Sequence, residues 1–178
     1  MENTYRTLPN GELLVEESCC SREFETASAK KIIVEYLYLD RETCDRCVGT
    51  DNALDEVMKV LIPTLSIAGF EVEYNKIEMK TAEIAEQYKF ISSPTIRVNG
   101  HDICKSIVEN NCGCCSDISG TDVNCRVFEY DGELYEVPPK EMLAKAILKS
   151  IFGQVETGCS CGEYELPENL KEFYEGKK

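Results

Sequence analysis

The segment Lys31-Ile32-Ile33-Val34-Glu35-Tyr36-Leu37-Tyr38-Leu39 constrains the fold more than any other part of the chain. Apolar side chains fill nearly every position, without the period-two alternation of a strand that is half exposed. Such a run predicts a strand over 31–39 buried on both faces, as in a central parallel strand. Two cysteines follow at once, in Cys44-Asp45-Arg46-Cys47. Leu54, Val57, Met58, Leu61 and Leu65 then repeat at spacings of three and four, which predicts a helix. Asp51 or Asn52 is its expected cap, and it runs to about Ala68. Pro63 lies inside the pattern and is expected to kink or split the helix. Gly69 ends it, and Phe70–Ile77 alternates as a second strand. Ser93-Pro94 then opens a third strand, Thr95–Val98, and Asn99-Gly100 turns out of it.

The remaining segments fit the same plan. Thr81 caps a short helix carrying Ile84, Ala85 and Tyr88 on one face. Cys125–Tyr130 and Glu133–Val137 flank Asp131-Gly132, a two-residue hairpin signal. Pro138-Pro139 opens a final helix with Leu143, Ala146, Ile147 and Ile151 facing the sheet. The expected order is β-α-β-α-β-β-α over residues 27–152, with a polar, Cys-rich insert at about 104–124. Residues 1–26 form an N-terminal arm whose only apolar run is Leu13-Leu14-Val15. Residues 153–178 form a tail ending in a short amphipathic segment with Leu170, Phe173 and Tyr174. The fold class is therefore α/β: a central mixed sheet of four or more strands with helices on both faces, plus N- and C-terminal extensions.

Composition narrows the function. With 178 residues, 19 Lys plus Arg, 33 Asp plus Glu and a net charge of −14, the chain is a poor partner for nucleic acid or an anionic membrane surface. No apolar run reaches the ~18 residues of a transmembrane helix. The start Met1-Glu2-Asn3-Thr4-Tyr5-Arg6 lacks the basic and apolar regions of a signal peptide. The expected location is the cytoplasm. In a reducing compartment, eleven cysteines point to metal binding or redox cycling rather than a static disulfide framework. Most stand in tight groups: Cys19-Cys20, Cys44/Cys47, Cys112-Gly113-Cys114-Cys115 and Cys159-Ser160-Cys161.

The Cys44/Cys47 pair admits three readings. A dithiol near a helix N-terminus and beside a cation such as Arg46 has a lowered thiol pKa, which suits thiol–disulfide exchange. Two cysteines two residues apart are also half of a four-thiolate zinc site, or two small packed side chains. Gly49 suggests a first helical turn that starts beyond Cys47. The grouped cysteines Cys112, Cys114, Cys115, Cys159, Cys161, Cys19 and Cys20 are candidate ligands for zinc or another thiophilic metal. Alternatively Cys112–Cys115 relays disulfides to Cys44–Cys47, or the insert is chemically inert. Cys125 begins an apolar strand and reads as a packed residue. His101, the only histidine, reads as a surface turn residue.

A strand, a dithiol, a helix and a Ser-Pro strand in this order resemble the thioredoxin-like superfamily over roughly residues 30–152. The stretches LDRETCDRCVGT (39–50), SSPTIRVNG (92–100), the Cys112–Cys115 cluster and YEVPPKE (135–141) resemble, more narrowly, an uncharacterised bacterial and archaeal family of thioredoxin-like proteins. The chain has neither a Trp before the pair nor Gly-Pro between the cysteines. The resemblance implies a cis Pro94 packed beside the pair, Cys44 as nucleophile and Cys47 as resolving thiol. The expected function is thiol–disulfide exchange with a protein disulfide or dithiol partner, needing no cofactor. The alternative is a non-enzymatic binder or carrier of a thiophilic metal or metalloid.

Overall fold

The computed structural model describes residues 6–7, 13–14, 30–104, 106–153 and 164–177. Strands β1 (Arg6–Thr7) and β2 (Leu13–Leu14) pair with each other. The main sheet uses β3 (Lys30–Tyr38), β4 (Phe70–Glu78), β5 (Thr95–Val98) and β6 (His101–Asp102), in the order β4-β3-β5-β6. β3 runs parallel to β4 and antiparallel to β5, so the apolar run lies inside a mixed sheet, as its composition requires. The parallel pair is joined by α1 (Asp45–Ile67), and α2 (Ala82–Gln87) leads towards β5. Thr81 caps α2 through its hydroxyl, which accepts from Ile84 N.

The core forms where β3 meets α1. Val34, Tyr36, Leu37 and Leu39 of the strand segment are fully buried. The predicted helix face of Leu54, Val57, Met58, Leu61 and Leu65 is buried in full. Helix α4 (Lys140–Phe152) begins after Pro138-Pro139 and adds Leu143 and Ile147 to the same core.

Three expectations need correction. First, α1 begins at Asp45, not beyond Cys47, and Cys44 is its N-cap residue. The cause is Asp40, whose Oδ1 accepts from Glu42 N, Thr43 N, Thr43 Oγ1 and Cys44 N and folds the loop into the helix entry. Gly49 therefore lies within the helix, where a Cβ would stand 2.5 Å from Val137 Cγ2. Asp51 is no cap; it is buried and neutralised by Arg41 at 2.9 Å and Lys76 at 2.7 Å. Second, Pro63 does not split the helix, which continues to Ile67. A proline so near the C-terminal end removes a single helical donor.

Third, the Asp131-Gly132 hairpin forms, with both residues at positive φ, but outside the main sheet. It joins β8 (Asn124–Tyr130) to β9 (Glu133–Tyr135) in a separate sheet, β7-β8-β9. The place beside β5 is taken by β6, because Asn99 (φ 51°) and Gly100 (φ 79°) turn the chain straight back on itself. The Cys-rich insert docks against the main domain. It supplies β7 (Val108–Asn111) and α3 (Gly113–Ser119), and its Cys112, Cys115 and Val123 join the main core.

The amphipathic segment near the C-terminus is α5 (Glu168–Gly176), packed on α3 and α2. Its Leu170 and Phe173 are completely buried, and the Tyr174 hydroxyl donates to Met79 O at 2.8 Å. Among the described residues, no helix is long and apolar enough to cross a membrane. If α5 is part of the core, Phe173→Ala should lower unfolding free energy by about 3–5 kcal/mol in denaturant titration. A loss below about 1 kcal/mol would mean that the helix is only laid on the surface.

Candidate functional site

The site forms where the entry of α1, the entry of α3 and the start of β8 meet. The Asp40 turn delivers Cys44 to the first of these positions. Cys112 is the N-cap residue of α3, as Cys44 is of α1. Both cysteines are followed three residues later by a second one, Cys47 and Cys115. Their backbones are positioned by Val48 N donating to Cys44 O and by Ser116 N donating to Cys112 O.

These segments bring five thiols together in the interior. Cys44 Sγ lies 3.9 Å from Cys112 Sγ and 3.8 Å from Cys115 Sγ. The sulfurs of Cys44, Cys112 and Cys115 all fall within 4.8 Å of one another, a geometry able to hold a metal ion. Cys125 Sγ stands 3.4 Å from Cys115 Sγ. Cys47 Sγ contacts Ser93 Oγ at 3.5 Å, and the Ser93–Pro94 peptide bond is cis. Cys44, Cys47, Cys115 and Cys125 are 0% exposed and Cys112 is 4% exposed.

The sulfurs tune one another. Cys112 is held far below the usual thiol range, first by Cys115 and then by Cys125 and Cys44, whose hydrogen bonds favour its thiolate. Cys44, Cys115 and Cys125 are each pushed up, in every case first by their hydrogen bond to Cys112. Cys47 is lowered by Cys44 first, with burial opposing and Ser93 assisting.

Arg46 does not act as a cation beside the sulfurs. It is 5% exposed, and its guanidinium turns to the second sheet. Nη1 donates to Cys125 O at 2.9 Å and to Arg126 O, and Nη2 to Asn111 O and to Glu136 Oε1 at 2.7 Å. On the other side, Arg126 N donates to Ser93 O at 2.7 Å. The Tyr36 hydroxyl donates to Cys47 O at 2.7 Å. Strand, helix and hairpin thus converge on the thiols through buried hydrogen bonds.

The structure brings Cys112 and Cys115 to Cys44. Cys114 is partly exposed on α3 and outside the triad. Cys19, Cys20, Cys159 and Cys161 lie outside the described residues. Cys125 escaped the sequence reading because a lone cysteine in an apolar strand looks like packing. Its signal was the neighbour: Arg126 pairs with Asp102, and alternation turns Cys125 to the opposite face. Cys104 is partly exposed; burial, then the charge of Asp102, pushes its thiol up to about 11.

Residues 32–147 match a family described as a domain of unknown function (DUF2703). The chain belongs to this family. The matched span runs from β3 into α4 and contains all five buried thiols. The chain is also 29% identical over 121 residues to an uncharacterised protein of the archaeon Archaeoglobus fulgidus, covering 64% of this chain and 82% of the relative. No solved structure matches.

The Arg46–Glu136 pair is unequal, since Glu136 is 62% exposed. Arg46→Met leaves the buried carbonyls of Cys125 and Arg126 without this donor and should cost roughly 2–4 kcal/mol in denaturant unfolding. Glu136→Gln removes only a rim charge and should cost less than about 1 kcal/mol. Equal losses would show that the ion pair, not the carbonyl network, fastens the site.

Proposed function

We propose that the protein binds a thiophilic metal ion through Cys44, Cys112 and Cys115, as a carrier or buffer rather than an enzyme. The observation that carries this reading is the sulfur spacing. Four sulfurs ~2.3 Å from a zinc ion lie ~3.8 Å apart, and the two measured separations from Cys44 are 3.9 and 3.8 Å. The ligands come from positions far apart in sequence and need little movement to close on an ion. Deprotonation of the thiols accompanies binding, since thiolates are the ligands. Full burial fits a bound ion better than a nucleophile, which must reach a partner's disulfide.

A second reading, thiol–disulfide exchange, is favoured by a separate observation. Two dithiols, Cys44/Cys47 and Cys112/Cys115, each start a helix and face each other. In such a relay the Cys44 thiolate attacks Cys115 of a Cys112–Cys115 disulfide, and Cys112 leaves as thiolate. The Cys47 thiolate then attacks Cys44, forming Cys44–Cys47 and releasing Cys115 as thiolate. Outside partners would be a protein disulfide or dithiol. The order β3-α1-β4-α2-β5-β6, with the dithiol at the head of α1 and Ser93-Pro94 against Cys47, supports a thioredoxin-like scaffold for either chemistry.

Zinc analysis of reduced protein, after anaerobic loading and removal of excess metal, tests the first reading. Cys112→Ser and Cys115→Ser should each lower the zinc retained per chain against a competing chelator, while Cys104→Ser does not. Zinc content unchanged in both cluster variants would refute it. Under the second reading, Cys44→Ser abolishes reduction of a small disulfide; undiminished activity in that variant would exclude Cys44 as nucleophile.

A further inference from the structure

Cys125 lies outside the triad, yet its position is as closely fixed as that of any residue in the site. Its carbonyl accepts from Arg46 Nη1 at 2.9 Å, and the next amide, Arg126 N, donates to Ser93 O at 2.7 Å. The side chain of Arg126 is anchored on the opposite face by Asp102 at 2.7 Å. These three bonds set the rotation of β8 and aim the Cys125 thiol at the entry of α3. There it touches Cys115 at 3.4 Å, fully buried.

We propose that Cys125 is the fourth thiolate of the Cys44/Cys112/Cys115 site, which makes it a tetrahedral four-sulfur centre for a divalent ion of the zinc class. The inference rests on the metal-binding reading and narrows its ligand. A three-sulfur site would suit a trigonal metalloid or mercuric ion; Cys125, which touches Cys115 but lies beyond 4.8 Å of at least one other triad sulfur, closes by a local shift to the fourth corner that selects tetrahedral divalent ions. The 3.4 Å contact is only about 0.4 Å short of the ~3.8 Å edge of a zinc tetrathiolate.

The rival for the fourth position is Cys47, and the geometry disfavours it. Its sulfur interacts with Cys44 but is also engaged by Ser93 Oγ at 3.5 Å, on the side of the cis Ser93–Pro94 bond. Cys125 Sγ instead contacts Cys115 Sγ at 3.4 Å. Charge is compatible as well. Four thiolates and a divalent ion carry an excess of two negative charges. The positive N-terminal end of α1, which Cys44 caps, faces that excess.

X-ray absorption at the zinc edge, on the full reduced chain loaded with one equivalent of zinc, tests this. The wild-type shell should contain four sulfurs at ~2.3 Å. Cys125→Ser should retain zinc with three sulfurs and one lighter atom, and chelator competition should show a loss of affinity larger than the about 10–100-fold of an outer-shell change. Cys47→Ser should keep four sulfurs. If Cys125→Ser does not fold, Cys125→Ala, which keeps the strand apolar, carries the same expectation. Three sulfurs in the wild type, or four in the Cys125 variant, would overturn the assignment of Cys125 while leaving the triad as a metal site. A wild-type chain that takes up no zinc would overturn both readings.

Discussion

The Arg46 guanidinium is the fastening on which the site depends. It lies one residue from the start of α1 and reaches across to the carbonyls of Asn111, Cys125 and Arg126. A buried cation is costly unless its donors are matched; here backbone oxygens from two strands and Glu136 match Nη1 and Nη2, while Nε is buried without a partner among the described residues. The consequence is positional. The helix entry that carries Cys44 is tied to the strand that carries Cys125 and to the end of the strand that precedes Cys112. Arg126 N, bonded to Ser93 O, closes the circuit through the loop that touches Cys47. The thiols converge because the backbones around them share these bonds, not because the cysteines themselves hold the fold together.

This arrangement also explains how a polar insert becomes ordered. Residues 104–124 are too polar to form a core of their own. They dock instead, burying Cys112, Cys115 and Val123 against the main domain. Helix α5 completes the packing, with Phe173 and Leu170 buried on α3 and α2. The hydrogen bonds between Asn169 and the backbone of Asn124 join α5 to β8 as well.

The elements of the main sheet were legible because periodicity and punctuation agree. Lys31–Leu39, Phe70–Ile77 and Thr95–Val98 have the spacing of strands, and Thr81, Gly69 and Asp131-Gly132 have the chemistry of caps and turns. The start of α1 was misread because the Asp40 turn and the Gly49–Val137 contact depend on residues that meet only in three dimensions. The same holds for β6, where two residues displace a stronger-looking hairpin from the edge of the sheet. At the site, grouping singled out Cys44, Cys47, Cys112 and Cys115, and the fold joins them. Cys125 was hidden because a cysteine among apolar residues carries no mark of its role. Arg46 was noticed for the wrong reason: its charge was expected on the sulfurs, and it is spent on carbonyls.

The central claim is that Cys44, Cys112 and Cys115 form one centre rather than separate pairs. Anomalous diffraction at the zinc edge, from crystals of reduced protein grown with one equivalent of zinc, tests it most directly. The account predicts a single strong peak among these sulfurs, ~2.3 Å from each. A Cys44–Cys47 or Cys112–Cys115 disulfide with no anomalous peak between the segments, or a peak bound away from Cys44, would contradict it.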